Sequence, residues 1–246
     1  MMNVTASNVL SYQPLYEQIK RMLTQSLIDG EWKAGEMIPS EMELAARFQV
    51  SQGTVRKAID ALVSENILTR RQGKGTYVSS HNGEVQKLRF LRLAGPDGKK
   101  ALPQNQLISC VRAKATAKVA KKLNIKSGSA IIEIKRLLIF DGRPLIYDHI
   151  VLPAQEFNGL SGKQVDEYKG SLYRMYEELY GIPMVGAHEE IRAVEAPAEV
   201  AAALKLKKGT PLLQIDRIAY SYGNRPLEWR LGLCLTDYYH YQADLE

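Results

Sequence analysis

The sequence predicts an α+β protein in two parts: a helical N-terminal domain closed by a small hairpin, then a C-terminal α+β domain built on an antiparallel sheet. Three observations predict this. Residues 1–79 carry apolar positions at helical spacing and end in two short β-prone runs. Residues 80–87 are polar and read as a linker. Residues 88–246 contain an internal repeat of helix, glycine turn and β-hairpin.

The elements follow in order. Leu15, Ile19, Met22, Leu23 and Leu27 define a helix that Pro14 opens and Gly30 ends. Ser40, with Glu43 three residues on, is a capping box for a short helix over 41–48. Ser51 caps a third helix running to about Glu65, with Val55, Ile59 and Leu62 as its buried stripe. Ile67-Leu68-Thr69 and Thr76-Tyr77-Val78 flank a glycine-containing basic loop, Arg70 to Gly75. In the repeat, Ala117 to Gly128 aligns with Ala198 to Gly209, Arg136 with Arg217 and, one inserted residue later, Arg143-Pro144-Leu145 with Arg225-Pro226-Leu227. The hairpins turn at Asp141-Gly142 and Tyr222-Gly223-Asn224. The segment 153–185 has no counterpart and holds a helix near Ser171 to Tyr180.

The chain has 246 residues, 45% hydrophobic and 24% charged, the make-up of a globular protein. It lacks the long apolar run of a spanning helix, and its first residues lack the pattern of a secretory signal. Two cysteines, Cys110 and Cys234, give no disulfide framework. A cytoplasmic protein with no membrane partner is expected. The four histidines and two cysteines show no metal-ligand spacing, so neither a metal nor another cofactor is expected. No nucleophile-elbow pattern is present. The net charge is +6, and Arg56, Lys57, Arg70, Arg71 and Lys74 concentrate it beside an acidic stretch, as for a face that meets a polyanion.

Two helices joined at Gln49-Val50 have helix-turn-helix spacing. The second would enter a DNA major groove, where residues at its N-terminus and outer face meet bases and phosphates. These are Ser51, Gln52, Gly53, Thr54, Arg56 and Lys57. Arg70, Arg71, Gln72, Gly73 and Lys74 on the hairpin would flank the duplex. The alternative is a plain three-helix bundle with a solvated basic face. Lys118, Lys121, Lys122 and Lys126 form a second basic face, read as solvated or as contacting flanking DNA.

Residues 14–79 resemble the winged helix-turn-helix of the GntR family of bacterial transcription regulators. The resemblance rests on Pro14 to Ile19, Gly35 to Glu41, Glu43-Leu44-Ala45, Val50-Ser51, Thr54 to Ala58, Leu62, and Arg71 to Thr76. It implies DNA contacts by Thr54, Arg56 and Gly73. Met42 and Gln52 stand where many members have arginine, and Gln49 where the turn is often glycine. Residues 88–243 resemble the UTRA effector domain of the HutC subfamily, a chorismate-lyase-like fold without lyase activity in the regulators. Ile134-Lys135-Arg136, Asp141 to Pro144, Leu152-Pro153, Gly170 to Tyr173 and Gly223 to Pro226 carry it.

The resemblance implies a homodimeric repressor released from a palindromic double-stranded DNA operator by a small-molecule effector. It implies effector contacts at Arg136, Asp148, Ser171 and Glu228. Read as residues, Arg136 in an apolar strand is a rim salt bridge or a ligand clamp, and Ser171 opens a helix whose amides suit an anion. Leu138 replaces a second arginine, and Cys234 an aromatic, of the sugar-phosphate-sensing members. The effector is thus a carboxylate or a phosphorylated metabolite. An activator with the same architecture, or an enzyme keeping lyase-like activity, is the alternative.

Overall fold

The computed structural model describes residues 13–81, 90–98, 100, 102–168 and 170–243. The expectations for residues 1–12 and for linker residues 82–87 lie outside them. The chain divides into two compact units between Val78 and Ser79.

In the first unit, α1 (Leu15–Ile28) buries Ile19, Leu23 and Leu27. Helix α2 (Glu41–Phe48) opens with the expected capping box: the Ser40 hydroxyl accepts from the Glu43 amide, and the Glu43 carboxylate accepts from the Ser40 amide at 2.8 Å. Gln49 takes the left-handed conformation, φ 53°, in a turn where glycine would be unstrained. Helix α3 (Gln52–Ser64) is capped by Ser51 and buries Val55, Ala58, Ile59 and Leu62. Strands β1 (Leu68–Arg71) and β2 (Gly75–Val78) pair antiparallel up to Arg71 and Gly75. The ladder therefore reaches further toward the tip than the apolar runs suggest. Arg70 and Arg71 stand on a paired strand, and only Gln72, Gly73 and Lys74 form the turn.

The second unit is a six-stranded antiparallel sheet in the order β4-β5-β6-β9-β8-β7. Its strands are β4 (Gln104–Lys114), β5 (Ala130–Phe140), β6 (Arg143–Pro153), β7 (Gly186–Glu195), β8 (Pro211–Ser221) and β9 (Arg225–Cys234). The short strands β3 (Leu93–Ala94) and β10 (His240–Tyr241) pair separately. The repeat explains the order. Each half is strand, helix, hairpin, with α4 (Ala117–Leu123) in the first and α7 (Ala198–Ala203) in the second, and the halves join antiparallel at β6 and β9. The leading strands β4 and β7 extend the repeat beyond what residue matching detects. Asp141 and Gly142 both have positive φ, 48° and 77°, as a tight two-residue hairpin turn requires.

Strand alternation gives the sheet two apolar faces. Val119, Ala120 and Leu123 of α4 pack on Ile131, Val151 and Trp229. Val200 and Ala201 of α7 pack with Tyr147 and Leu212. On the opposite face the inserted segment forms α5 (Gly162–Glu167), which the sequence reading did not anticipate, and α6 (Leu172–Tyr180). Tyr173, Met175 and Tyr176 of α6 cover Ile132, Ile134, Ile150 and Leu152. Among the described residues no helix is long and apolar enough to cross a membrane.

Candidate nucleic-acid interface and ligand cavity

Helix α3 presents its N-terminus to solvent. Ser51, Gln52, Gly53, Arg56 and Lys57 are exposed, and Thr54 is half-buried with its hydroxyl 2.9 Å from that of Ser51. A Cβ on Gly53 would meet only the Ser51 hydroxyl, at 3.9 Å, so the fold does not demand glycine there. Open space suits close approach of another molecule. On the hairpin Arg70, Arg71, Gln72, Gly73 and Lys74 are all exposed, and the Arg71 guanidinium lies 4.0 Å from the Tyr77 ring centroid.

One acid organises this face, and the sequence reading missed it. Glu41, the first residue of α2, accepts from Arg56 Nε at 2.8 Å, Gln52 Nε2 at 3.3 Å and Arg70 Nη2 at 3.0 Å. Arg56 foremost holds the Glu41 carboxyl below its usual range. Arg70 also meets Asp60 at 2.8 Å. The contacts come from positions far apart in sequence, so no local pattern announces them. The other basic face is largely engaged within its own unit: Lys122 pairs with Asp216, and Lys118 lies over the Trp229 ring.

The second unit holds a cavity of about 530 Å³ between the sheet and the N-terminal end of α6. Arg136 and Ser171 line it, as do Arg217, Arg230, Phe90 and Tyr173. Asp148 and Glu228 do not, although Asp148 lines a smaller cavity of about 40 Å³ that shares Leu138, Arg217 and Arg230 with it. Asp148 Oδ2 accepts from Arg136 Nε at 3.0 Å and Nη2 at 2.9 Å, and Arg230 Nη1 is 3.5 Å away. Glu228, fully buried, accepts from Tyr173 at 2.8 Å, Tyr176 at 3.1 Å and Arg230 Nε and Nη2, both at 3.0 Å. Arg217 is held by Glu189 and by the Phe90 carbonyl at 2.6 Å. A buried arginine needs such partners, because desolvating an unpaired charge is costly.

These contacts set the electrostatics. Burial draws the Arg136 pKa down against the opposing pull of Asp148. For Arg230 burial acts the same way, but Glu228, Tyr173 and Asp148 outweigh it and raise the value well above normal. Burial, then Glu228, pushes the Tyr173 hydroxyl up to about 12, so it stays a donor. Each of the three arginines is paired with an acid and also lines the cavity. Arg136 is thus both salt-bridged and cavity-lining, which joins the two readings its sequence context left open.

Ser171 caps α6, its hydroxyl accepting from the Arg174 amide at 3.2 Å. Leu138 also lines the cavity, whereas Cys234 lies outside it. His81 closes one side. Its ring nitrogen is 2.9 Å from the Met184 carbonyl, and its amide donates to Glu177 at 2.9 Å beside the Ser80 hydroxyl at 2.6 Å. Ser80 and His81, the start of the expected linker, are therefore built into the second unit. Arg217 and Arg230 were legible in the repeat, which aligns Arg217 with Arg136 and, past the inserted residue, Arg230 with Asp148. His81 and Phe90 carry no local signal. Among the described residues no group of His, Cys, Asp and Glu is disposed to hold a metal ion.

Comparison with known proteins agrees with this architecture. Residues 15–78 match the bacterial regulatory proteins of the gntR family, and residues 99–240 match the UTRA domain. The chain is 30% identical over 227 residues to the "Probable fructoselysine utilization operon transcriptional repressor" of Escherichia coli K12, covering 91% of both chains. It is 30% identical over 238 residues to the "HTH-type transcriptional repressor NagR" of Bacillus subtilis, covering 94% of this chain and 96% of that one. A crystal structure of the ligand-binding domain of a protein from Bordetella bronchiseptica, described as a GntR-family regulator, matches with TM-score 0.61 and 40% identity over 64% of this chain and 98% of that one. The chain belongs to the GntR family, in the HutC group that joins a helix-turn-helix head to a UTRA domain, and is a DNA-binding transcription regulator.

Proposed function

We propose that the protein is a cytoplasmic homodimeric repressor that releases a palindromic operator when a small anionic metabolite fills the cavity of its second unit. The cavity's guanidinium wall carries this reading. Arg136, Arg217 and Arg230 line a space large enough for a metabolite, and fork-like guanidiniums suit carboxylate or phosphate. The N-terminal turn of α6 adds backbone donors. The acids paired with these arginines leave little excess positive charge, which favours a single carboxylate over a doubly charged phosphate. Phe90, Tyr168, Tyr173 and Leu138 would take the apolar or ring portion. Asp148 and Glu228, engaged by arginines and tyrosines, would fix the wall rather than touch the ligand. Relatives named as repressors support the direction of control.

The head would read DNA with Ser51, Gln52, Gly53, Thr54, Arg56 and Lys57, and with Arg70 to Lys74 on the hairpin. A two-fold operator needs two heads. The β4 edge supports pairing of two second units, because Ile108 and Val111 are exposed there, 46% and 52%. The β7 edge exposes His188, Glu190 and Arg192 beside a single large apolar residue, Ile191, 43%. The test is a thermal-shift screen of small carboxylates, sugar acids and sugar phosphates on the full chain, followed by gel shift with the upstream promoter DNA. A carboxylate that stabilises the protein and releases the DNA is expected. Stabilisation by sugar phosphates alone would revise the ligand class, and release by none would overturn the reading.

A further inference from the structure

We infer that Glu41 is a positioning residue for DNA recognition: its carboxylate braces Arg56 of the recognition helix and Arg70 of the wing into one rigid donor pair. The inference rests on the reading of Arg56 and Arg70 as DNA contacts. An acid in the middle of a basic DNA-facing surface repels phosphates and so lowers sequence-independent affinity. A gain must come from geometry. Free arginines carry much rotamer freedom, which is lost when they are fixed on a base or phosphate.

Here the two oxygens of Glu41 divide between the two arginines. Oε2 takes Arg56 Nε at 2.8 Å and Oε1 takes Arg70 Nη2 at 3.0 Å. The Glu41 side chain is only 18% exposed, so the brace is sheltered, while the Arg56 and Arg70 side chains are 56% and 44% exposed and open to DNA. Three elements meet at this carboxylate: the start of α2, the outer face of α3 and strand β1. Asp60 holds Arg70 from a second side at 2.8 Å. Wing and recognition helix therefore present their guanidiniums at a fixed separation. A contact of fixed spacing discriminates among sequences; two loose cations do not.

The test measures two affinities of the full-length protein at one salt concentration. One duplex is the sequence that wild-type protein selects from a random pool, and the other is a scrambled duplex of equal length. With Glu41→Ala, operator affinity should fall about tenfold, roughly 1.4 kcal/mol. Affinity for the scrambled duplex should hold or rise, so that discrimination collapses. Glu41→Gln, which keeps one acceptor oxygen, should fall between and carries the test should the alanine variant not fold. Adding Glu41→Ala to the Arg56→Ala/Arg70→Ala protein should cause no further loss of operator affinity. A parallel rise in both affinities would make Glu41 a simple repulsive charge and overturn the proposal. An undiminished loss in the arginine-less background would do so as well. If Arg56→Ala and Arg70→Ala themselves leave operator affinity intact, the DNA-contact reading has failed instead.

Discussion

The two arginine sets of this molecule face opposite physical situations. In the head, Arg56 and Arg70 share one carboxylate at the surface, where water solvates either partner on separation. In the cavity, buried Arg136 and Arg217 and half-buried Arg230 pair with Asp148, Glu189 and Glu228. Exposed ion pairs contribute little to stability, whereas breaking a buried pair strands a charge. The head can therefore offer its braced guanidiniums to DNA without stranding a buried charge. The cavity holds its donors still and lets the ligand come to them. One residue type thus serves a braced surface open to DNA and a sheltered wall that lines a cavity.

The contrast is broken most directly at Glu228. Glu228→Ala leaves Arg230 without its main partner and two tyrosine hydroxyls without an acceptor, and should cost about 3–5 kcal/mol in unfolding. Urea denaturation followed by tyrosine and tryptophan fluorescence measures it. A loss below about 1 kcal/mol would mean that this cluster is no more than surface-like. Next is Arg136→Lys, which keeps the charge opposite Asp148 but removes the planar fork. Calorimetry with the carboxylate found by screening should give an affinity at least about tenfold weaker. DNA binding without the ligand should persist.

Arg56→Ala tests the exposed side. Operator affinity in gel shifts should fall about tenfold, while the thermal midpoint stays where it was. A large drop in the midpoint would show that the surface pair is structural. The smallest effect concerns Glu177, which anchors Ser80 and His81. Burial raises its pKa above the ordinary carboxyl value, with the Ser80 and His81 hydrogen bonds opposing. Its folded state thus favours the proton. The associated stability is fully present below the ordinary carboxyl range and is lost as pH rises through the raised value. Glu177→Gln should therefore gain on wild type as pH increases from about 4. Parallel stability curves for the two proteins between pH 4 and pH 7 would refute the assignment.

Local grammar made much of this legible. Ser40, Ser51 and the helical stripes fixed the head, because capping and periodicity act over a few residues. The repeat located both hairpins and already aligned Arg217 with Arg136. What stayed hidden is long-range. Glu41 meets Arg70 across 29 positions, and Ser80 meets Glu177 across 97. Helix α5 is six residues, Gly162–Glu167, too short for apolar periodicity to register. Asp148 and Glu228 are expected at the ligand; the contact of Arg230 with Asp148 was not legible, because strand alternation does not name partners on other strands.

The junction of the two halves bears on how the molecule folds. Hairpins β5–β6 and β8–β9 pair neighbours in sequence and can close in about 1–10 μs. The seam between β6 and β9 pairs Ile146 with Cys234 and Val151 with Trp229, positions 88 and 78 residues apart, and its loop-closure entropy is correspondingly larger. Arg136 and Asp148 lie on one side of that seam, and Arg217, Glu228 and Arg230 on the other. Each half alone carries matched charge, Arg136 with Asp148 in the first and Arg217 with Glu189 and Arg230 with Glu228 in the second, and the contact of Arg230 with Asp148 at 3.5 Å crosses the seam. The polar wall is completed only as the sheet is joined, so destabilising the seam should empty the cavity of its donors while both hairpins persist.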